Sequence, residues 1–430
     1  MQDDGQMTGR LALIRCLKTT EIRETMSTTL KTQPQTQTGA TQATALSVSP
    51  HEIDDVFFNR VSSEFQAWQK LFDADPDSRI TQHPELVLTE LRFAQEVHPR
   101  RATFVKCDRD GETAAAAILV PKSIGGEKKF GPAWNLKGYR LAGNRFLGEA
   151  PEEEQQALLT EVGRVLTATK ADFLLVEDVE SSDPLLSAID GNKNGIWLFR
   201  PTPAQRRLKI EFPESHDAYW AAFSSKSRCK LRRKLKLFGE CRLERIERSD
   251  QVAHFLEQAA KISKNSWQRD LLGDRIVNDA AELELFTRLA IEGALRSYLL
   301  WKNDEAVSFS IATQHNGVLM YEETAYDRRF VDQSPGQILL MKILEDLFEH
   351  DPPQLFDFGN GDAEYKRTFG NFESESGNIW LLRPGLRSRL IVAYLNGRRR
   401  FAQGLRGLLA KTGLLEWVRH KTRRGITSQG

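Results

Sequence analysis

Two turn dipeptides, Asp110-Gly111 and Asn316-Gly317, constrain the fold of this chain more than any other feature. Each stands between two apolar runs of strand length. Each also has the residue types that tolerate positive φ at both centres of a two-residue hairpin turn. The first joins Ala102–Cys107 to Thr113–Val120, and the second joins Ala306–Thr313 to Val318–Ala325. Similar patterns surround both. In the first half, Phe57, Val61, Phe65, Trp68 and Phe72 recur at helical spacing, and Pro84–Val97 reads as a second helix. Glu152–Thr169 then reads as a helix, and Phe173–Val176 as a short buried strand. The second half opens with a helix over Asp217–Phe238 and a strand over Cys241–Glu247. Helices follow over Gln251–Trp267 and Ala280–Glu292, and a strand at Ser297–Trp301 precedes the hairpin. A helix over Gly336–Glu349 stops at His350-Asp351-Pro352-Pro353, ahead of strands at Leu355–Phe358 and Asn378–Leu382. Three antiparallel strands, a helix and a strand, occurring twice, imply an α+β chain built as a tandem repeat.

The length of 430 residues suits two domains and tails. Residues 1–48 are Thr, Gln, Ser and Ala-rich and bury too little apolar surface to offset their ordering entropy, so disorder is expected there. The domains are then 49–213 and 214–385, with a tail over 386–430. No apolar run reaches the 18–20 or so residues of a membrane span. Cys16, Cys107, Cys229 and Cys241 fall at no metal-ligand spacing, and no signal peptide is evident, so a cytoplasmic protein without a metal is expected. The formal charge of +1 hides an asymmetry. From Leu386 onward eleven Arg and Lys face one acid, Glu416, so the tail carries +10 and the rest −9. Around those cations Leu390, Tyr394, Phe401 and Leu405 form helical faces. That composition suits either peripheral contact with an anionic membrane or a helical appendage packed on the domain.

Particular motifs sit on this frame. They are Asp327-Arg328-Arg329-Phe330, Gln333 to Leu340, Asp357-Phe358-Gly359-Asn360-Gly361, Tyr365-Lys366, and the basic run Arg228-Cys229-Lys230-Leu231-Arg232-Arg233. Together they resemble the GNAT acyltransferases of the CelD/BcsL group, which are associated with bacterial cellulose and exopolysaccharide biosynthesis. The resemblance spans about residues 55–385 and is clearest after Asp217. The tandem arrangement is shared with the Fem-type aminoacyltransferases of peptidoglycan synthesis.

The resemblance implies a tandem GNAT-like fold, with acetyl-CoA or another acyl-CoA as co-substrate. The CoA pyrophosphate would meet the helix start at Gln333, Ser334, Gly336, Gln337 and Ile338, where unsatisfied N–H groups and the helix dipole favour anions. Ile338 stands where the family has a small residue. Glu322 and Glu323 project to opposite faces of one strand, and either one is a candidate base for the attacking amine. Asp357 and Asp362, beside Gly359 and Gly361, are candidate substrate-facing acids or loop caps. Tyr365 and Lys366 would serve as the acid for the departing thiolate and as a cation for developing negative charge. The run Lys226–Lys236 holds seven Lys or Arg and no acid. Arg228, Arg232 and Arg233 on it are candidate ligands for a phosphate-bearing substrate, or else a solvated face. The first half has no counterpart of the Gln-x-x-Gly loop and is expected to shape the substrate cleft.

The expected activity is acyl transfer from CoA to an amine or hydroxyl of a sugar or cell-surface polysaccharide precursor, free or lipid-linked. One rival is aminoacyl transfer from charged tRNA; the basic run has no interleaved aromatics, which argues against a nucleic acid partner. The other rival is a non-catalytic scaffold in exopolysaccharide synthesis.

Overall fold

The structure, a computed structural model, describes residues 46–94, 101–125, 135–191, 196–266, 268–269 and 273–411. The expected disorder of 1–45, the helical continuation to Val97, Trp267 and the apolar faces beyond 411 lie outside these residues.

Among the described residues the first half contributes seven strands. These are β1 (Leu46–Glu52), β2 (Thr103–Arg109), β3 (Glu112–Gly125), β4 (Asn135–Leu141), β5 (Phe173–Glu180), β6 (Trp197–Phe199) and β7 (Gln205–Glu211). The second half contributes β8 (Arg242–Ile246), β9 (Ser297–Lys302), β10 (Glu305–His315), β11 (Val318–Tyr326), β12 (Leu355–Asn360) and β13 (Phe372–Leu382). The first-half helices are α1 (Asp55–Phe58), α2 (Ser63–Ala74), α3 (Pro84–Ala94), α4 (Glu152–Ala168) and α5 (Pro184–Gly191). Then come α6 (His216–Ala221), α7 (Ser225–Phe238), α8 (Ser249–Asn265), α9 (Ala280–Ile291), α10 (Pro335–His350), α11 (Glu364–Phe369) and α12 (Leu386–Lys411).

All the strands join in one mixed sheet of order β1-β2-β3-β4-β5-β13-β7-β12-β11-β10-β9-β8, with β6 paired to β13. The fold is α+β, a large mixed sheet flanked by helices. Each half is an antiparallel meander closed by one parallel pair, β4 with β5 and β11 with β12. Both parallel pairings are short. Tyr139 and Arg140 meet Leu174 and Leu175, and Val318 to Met320 meet Leu355 to Asp357. Beyond those points the strands run on unpaired with each other, which opens the sheet once in each half. The halves are stitched by exchange. β7, from the end of the first half, pairs with β12 and β13, while β13 pairs back with β5.

Local chemistry explains the elements. Asp110-Gly111 (φ 54° and 86°) and Asn316-Gly317 (φ 47° and 72°) take the left-handed conformations that their hairpins demand. The helix expected around Phe57–Phe72 divides into α1 and α2, because Ser62 caps α2 by accepting from Phe65 N–H. Asp217–Phe238 divides likewise, where the Ser224 side chain accepts from Ser227 N–H. Strands β1, β6 and β7 were not expected, and β4, the third strand of the first meander, was not located. Pro50 sits within β1, which is tolerated because β1 is an edge strand. In β7, Gln205-Arg206-Arg207-Leu208-Lys209-Ile210-Glu211 reads as charged surface. Arg207 and Lys209 are nevertheless buried, each against a carboxylate.

One hydrophobic core spans both halves, joining Trp68, Leu88 and Phe104 to Phe255, Phe286 and Phe309. On the sheet's other face α4 covers the first half with Leu158, Val162 and Leu166, and α10 covers the second with Leu339, Ile343 and Leu347.

Candidate active site

The register of β10 against β11 slips between Ile311 and Ala312. Ile311 faces Glu323, Ala312 faces Tyr321, and Glu322 is the extra residue of a β-bulge. Tyr321 therefore stays in the core beneath α10, whereas Ala325 joins the core of α8 and α9. Glu322 turns into a cavity of about 140 Å³ between the two halves. There it accepts a hydrogen bond from Thr313 Oγ1 at 2.9 Å. Burial raises its carboxyl to about 8, against the weaker opposing effect of the Thr313 hydroxyl. Glu323 is committed elsewhere, in a buried fork with Nε and Nη2 of Arg275.

Asp357 ends the pairing of β12 with β11. Arg207 Nε, from β7, lies 2.8 Å from both its carboxylate oxygens, and Gly359 N–H donates to it at 2.8 Å. Burial alone would raise this carboxyl, but the Arg207 guanidinium, Lys209 and the Gly359 N–H together outweigh burial and hold it below its ordinary value. Arg207 also reaches Asp178 at 3.5 Å. Asp178, on β5 of the first half, has a left-handed backbone (φ 57°) and receives a hydrogen bond from Asn360 Nδ2. Burial pushes its carboxyl up. Ser376 on β13 completes the set by donating to Asn360 Oδ1. The tripeptide Phe358-Gly359-Asn360 thus lies where three strands from both halves meet.

Lys366 is buried on α11, and its Nζ donates to the carbonyls of Asn360 at 2.9 Å and Gly359 at 3.3 Å. Burial lowers it to about 8. Tyr365 packs edge-on against Phe358, with ring centroids 5.9 Å apart, and burial pushes its hydroxyl up. Asp362 is at the surface, paired with Arg367 at 3.3 Å.

At the start of α10, Ser334 is left-handed (φ 55°) and its carbonyl accepts from Gln337 and Ile338 N–H. Pro335 has no N–H, so Gly336 is the first-turn backbone donor left for a ligand. A side chain at Gly336 would meet only Tyr326, at an ordinary 3.5 Å. Ile338 is fully buried in the core of α10, so its side chain is packing and not a ligand. The side chains of Gln333 and Gln337 accept from Lys302 and Lys234, respectively. Lys234 belongs to α7, so the basic helix runs beside this loop. Phosphates there would be held by one backbone donor and a bank of cations. On the same helix Arg228 is half-buried and Arg233 exposed. Arg232 instead borders a second cavity of about 190 Å³, with Trp220, Met341 and Phe369. From Glu322 to Tyr326, which touches Gly336, is four strand residues, about 13 Å.

The structure therefore brings Glu322, Asp357 and Lys366 to one junction and leaves Glu323, Ile338 and Asp362 outside it. Sequence reading missed Arg207, Asp178, Arg79 and His315, all of which line the cavity. Asp178 carries a signal, as charge within β5, which opens on the apolar run Phe173–Val176, whereas Arg207 lies in a strand that reads as charged surface. Among the described residues no group of three or more His, Cys, Asp or Glu could hold a metal ion, and no helix is long and apolar enough to cross a membrane.

Residues 225–367 match the family model described as an acetyltransferase (GNAT) domain. That stretch runs from the start of α7 into α11 and includes Glu322 and Gly336. No curated protein sequence matches the chain. Among solved structures, that of FemX is 14% identical and aligns over 76% of this chain and 96% of its own, with a TM-score of 0.54. A conserved protein of unknown function from Bacteroides thetaiotaomicron VPI-5482 is 12% identical over 78% of this chain and 100% of its own, with a TM-score of 0.50. At these identities the likeness is one of fold.

Proposed function

We propose that this chain moves an acyl group, acetyl in the simplest case, from CoA to an amine or hydroxyl of a sugar or cell-surface polysaccharide precursor. The observation that carries the reading is Glu322. It is a cavity-facing carboxyl raised to about 8, one strand segment away from a helix start flanked by Lys234 and Lys302. The match of residues 225–367 to an acetyltransferase domain supports the same assignment.

The chemistry follows from the residues. CoA, when bound, supplies the acyl group as a thioester. Gly336 N–H, Lys234 and Lys302 would hold its phosphates. The acceptor's amine or hydroxyl forms a bond to the acyl carbon as Glu322 takes its proton, and the carbon–sulfur bond breaks with its electron pair going to sulfur. Tyr365, kept protonated by burial, gives its proton to the departing thiolate. Lys366 fixes the carbonyls of Gly359 and Asn360 and so holds the loop beside the strand opening.

Calorimetry with acetyl-CoA tests the reading. Wild type binds; Gly336→Glu, which adds a negative charge where the phosphates sit, loses binding while its thermal midpoint stays close to that of wild type. A wild-type protein that ignores acetyl-CoA ends the reading, and charged tRNA becomes the donor to examine.

A further inference from the structure

The cavity at Glu322 is walled by both halves, and its charges are unevenly satisfied. Arg207 is spent on Asp357 and Asp178, and Arg140 pairs with Glu90. Of the three acids in the lining, Asp178 meets Arg207 and Asn360, Glu322 is pushed toward its neutral form, and Glu177 lies at the wall beside Asp178. Arg79 differs. It sits in the segment between α2 and α3 and lines the cavity. Its backbone N–H donates to Gln82, but its guanidinium has no hydrogen bond or ion pair among the described residues. Burial and the nearby Arg207 disfavour its charge, against the weaker pull of Asp357, Glu180 and Asp77. A guanidinium stays protonated in proteins, so the group is desolvated with acids nearby but none in hydrogen-bond contact. Its planar fork matches a carboxylate or phosphate.

We propose that the acceptor carries an anionic group, a carboxylate or a phosphate, which docks in this cavity against Arg79. The proposal rests on the acyltransfer reading and deepens it by naming the acceptor class. Space for the anionic group itself agrees, since a cavity of about 150 Å³ holds a molecule the size of benzene and this one measures about 140 Å³. The geometry also assigns work to the first half. It supplies the acceptor's counter-charge from the α2–α3 segment, while the second half supplies Glu322 and the CoA site. An acceptor anchored at Arg79 has its nucleophile presented to Glu322 across the same cavity, so recognition and proton removal are linked by one fixed distance.

The test is calorimetry on the full chain with three amino sugars: glucosamine, glucosamine 6-phosphate and 2-amino-2-deoxyglucuronic acid. Wild type should bind at least one of the two anionic sugars about tenfold or more tighter than glucosamine. Which of the two is preferred separates phosphate from carboxylate. Arg79→Gln should remove that preference, and Arg79→Lys should keep part of it. In both variants acetyl-CoA binding should stay at the wild-type value, which distinguishes failure here from failure of the acyltransfer reading. Equal affinity for all three sugars, no binding of any, or a preference that survives Arg79→Gln overturns the proposal.

Discussion

Position 322 buries a carboxyl with a single hydroxyl beside it, while position 323 buries one against a guanidinium. The two should respond oppositely to mutation. Glu322→Gln should cut turnover about 10²–10⁴-fold, the usual worth of a general base. Wild-type kcat/KM should rise with pH through about 8, as the base loses its proton, and this inflection should vanish in Glu322→Gln. The same shift bears on stability. Between its unfolded value of about 4.3 and about 8, folded Glu322 holds a proton that the unfolded chain has released. This contribution to stability is thus complete below the unfolded value and is lost as pH rises through about 8. Urea midpoints at pH 6 and pH 9 should therefore lie closer together in Glu322→Gln than in wild type. Glu323→Gln should act on stability, costing about 3–5 kcal/mol, because Arg275 is left buried without its counter-charge. Two adjacent glutamates look alike in sequence. The bulge that separates them arises only from the pairing of β11 with β10.

Among the elements, α12 shows how far pattern reading reaches. Its composition left a membrane role and a packed role equally open. The structure docks its first turns, with Ile391 buried among Phe173, Leu175 and Trp380, Arg387 paired to Asp172, and Arg389 over the Trp197 ring at 5.5 Å. Further along, Arg398, Arg399, Arg400 and Phe401 are exposed. The proposed membrane contact therefore belongs to the distal part, and cutting the chain at Pro384 would uncover a core and confuse the two roles. Replacing Arg398, Arg399 and Arg400 with glutamine leaves the docked turns untouched. At about 1 kcal/mol per cation near an anionic surface, it should weaken co-flotation with anionic vesicles at low salt about a hundredfold. Wild type that fails to float with those vesicles removes the membrane role. β7 is the opposite case. Its charges masked a strand, because alternation rules presume that buried positions are apolar, whereas Arg207 and Lys209 are buried as ion pairs.

At the scale of the whole molecule, the exchange of β7 and β13 should make the halves one cooperative unit. Each half completes its sheet only with a strand of the other, and one hydrophobic core runs beneath both. Urea unfolding followed by tryptophan fluorescence and by circular dichroism should give one coincident transition. Two separated transitions would mean independent halves. Arg207→Met should lower the whole transition by about 3–5 kcal/mol, since Asp357 would remain as a buried, unpaired charge at the seam. By itself the sequence determined what is local. Turn dipeptides, a proline stop signal and helical spacing located the two hairpins, most of the longer helices and the doubled α+β order, because these depend on residues within a few positions of one another. Tertiary structure decided what is distant: which strand pairs across the seam, which of two adjacent glutamates faces the cavity, and where Arg79, Asp178 and Arg207 meet. Those outcomes rest on burial and pairing between separate strands, from 12 positions apart for Ile311 and Glu323 to 150 for Arg207 and Asp357, and no local pattern records them.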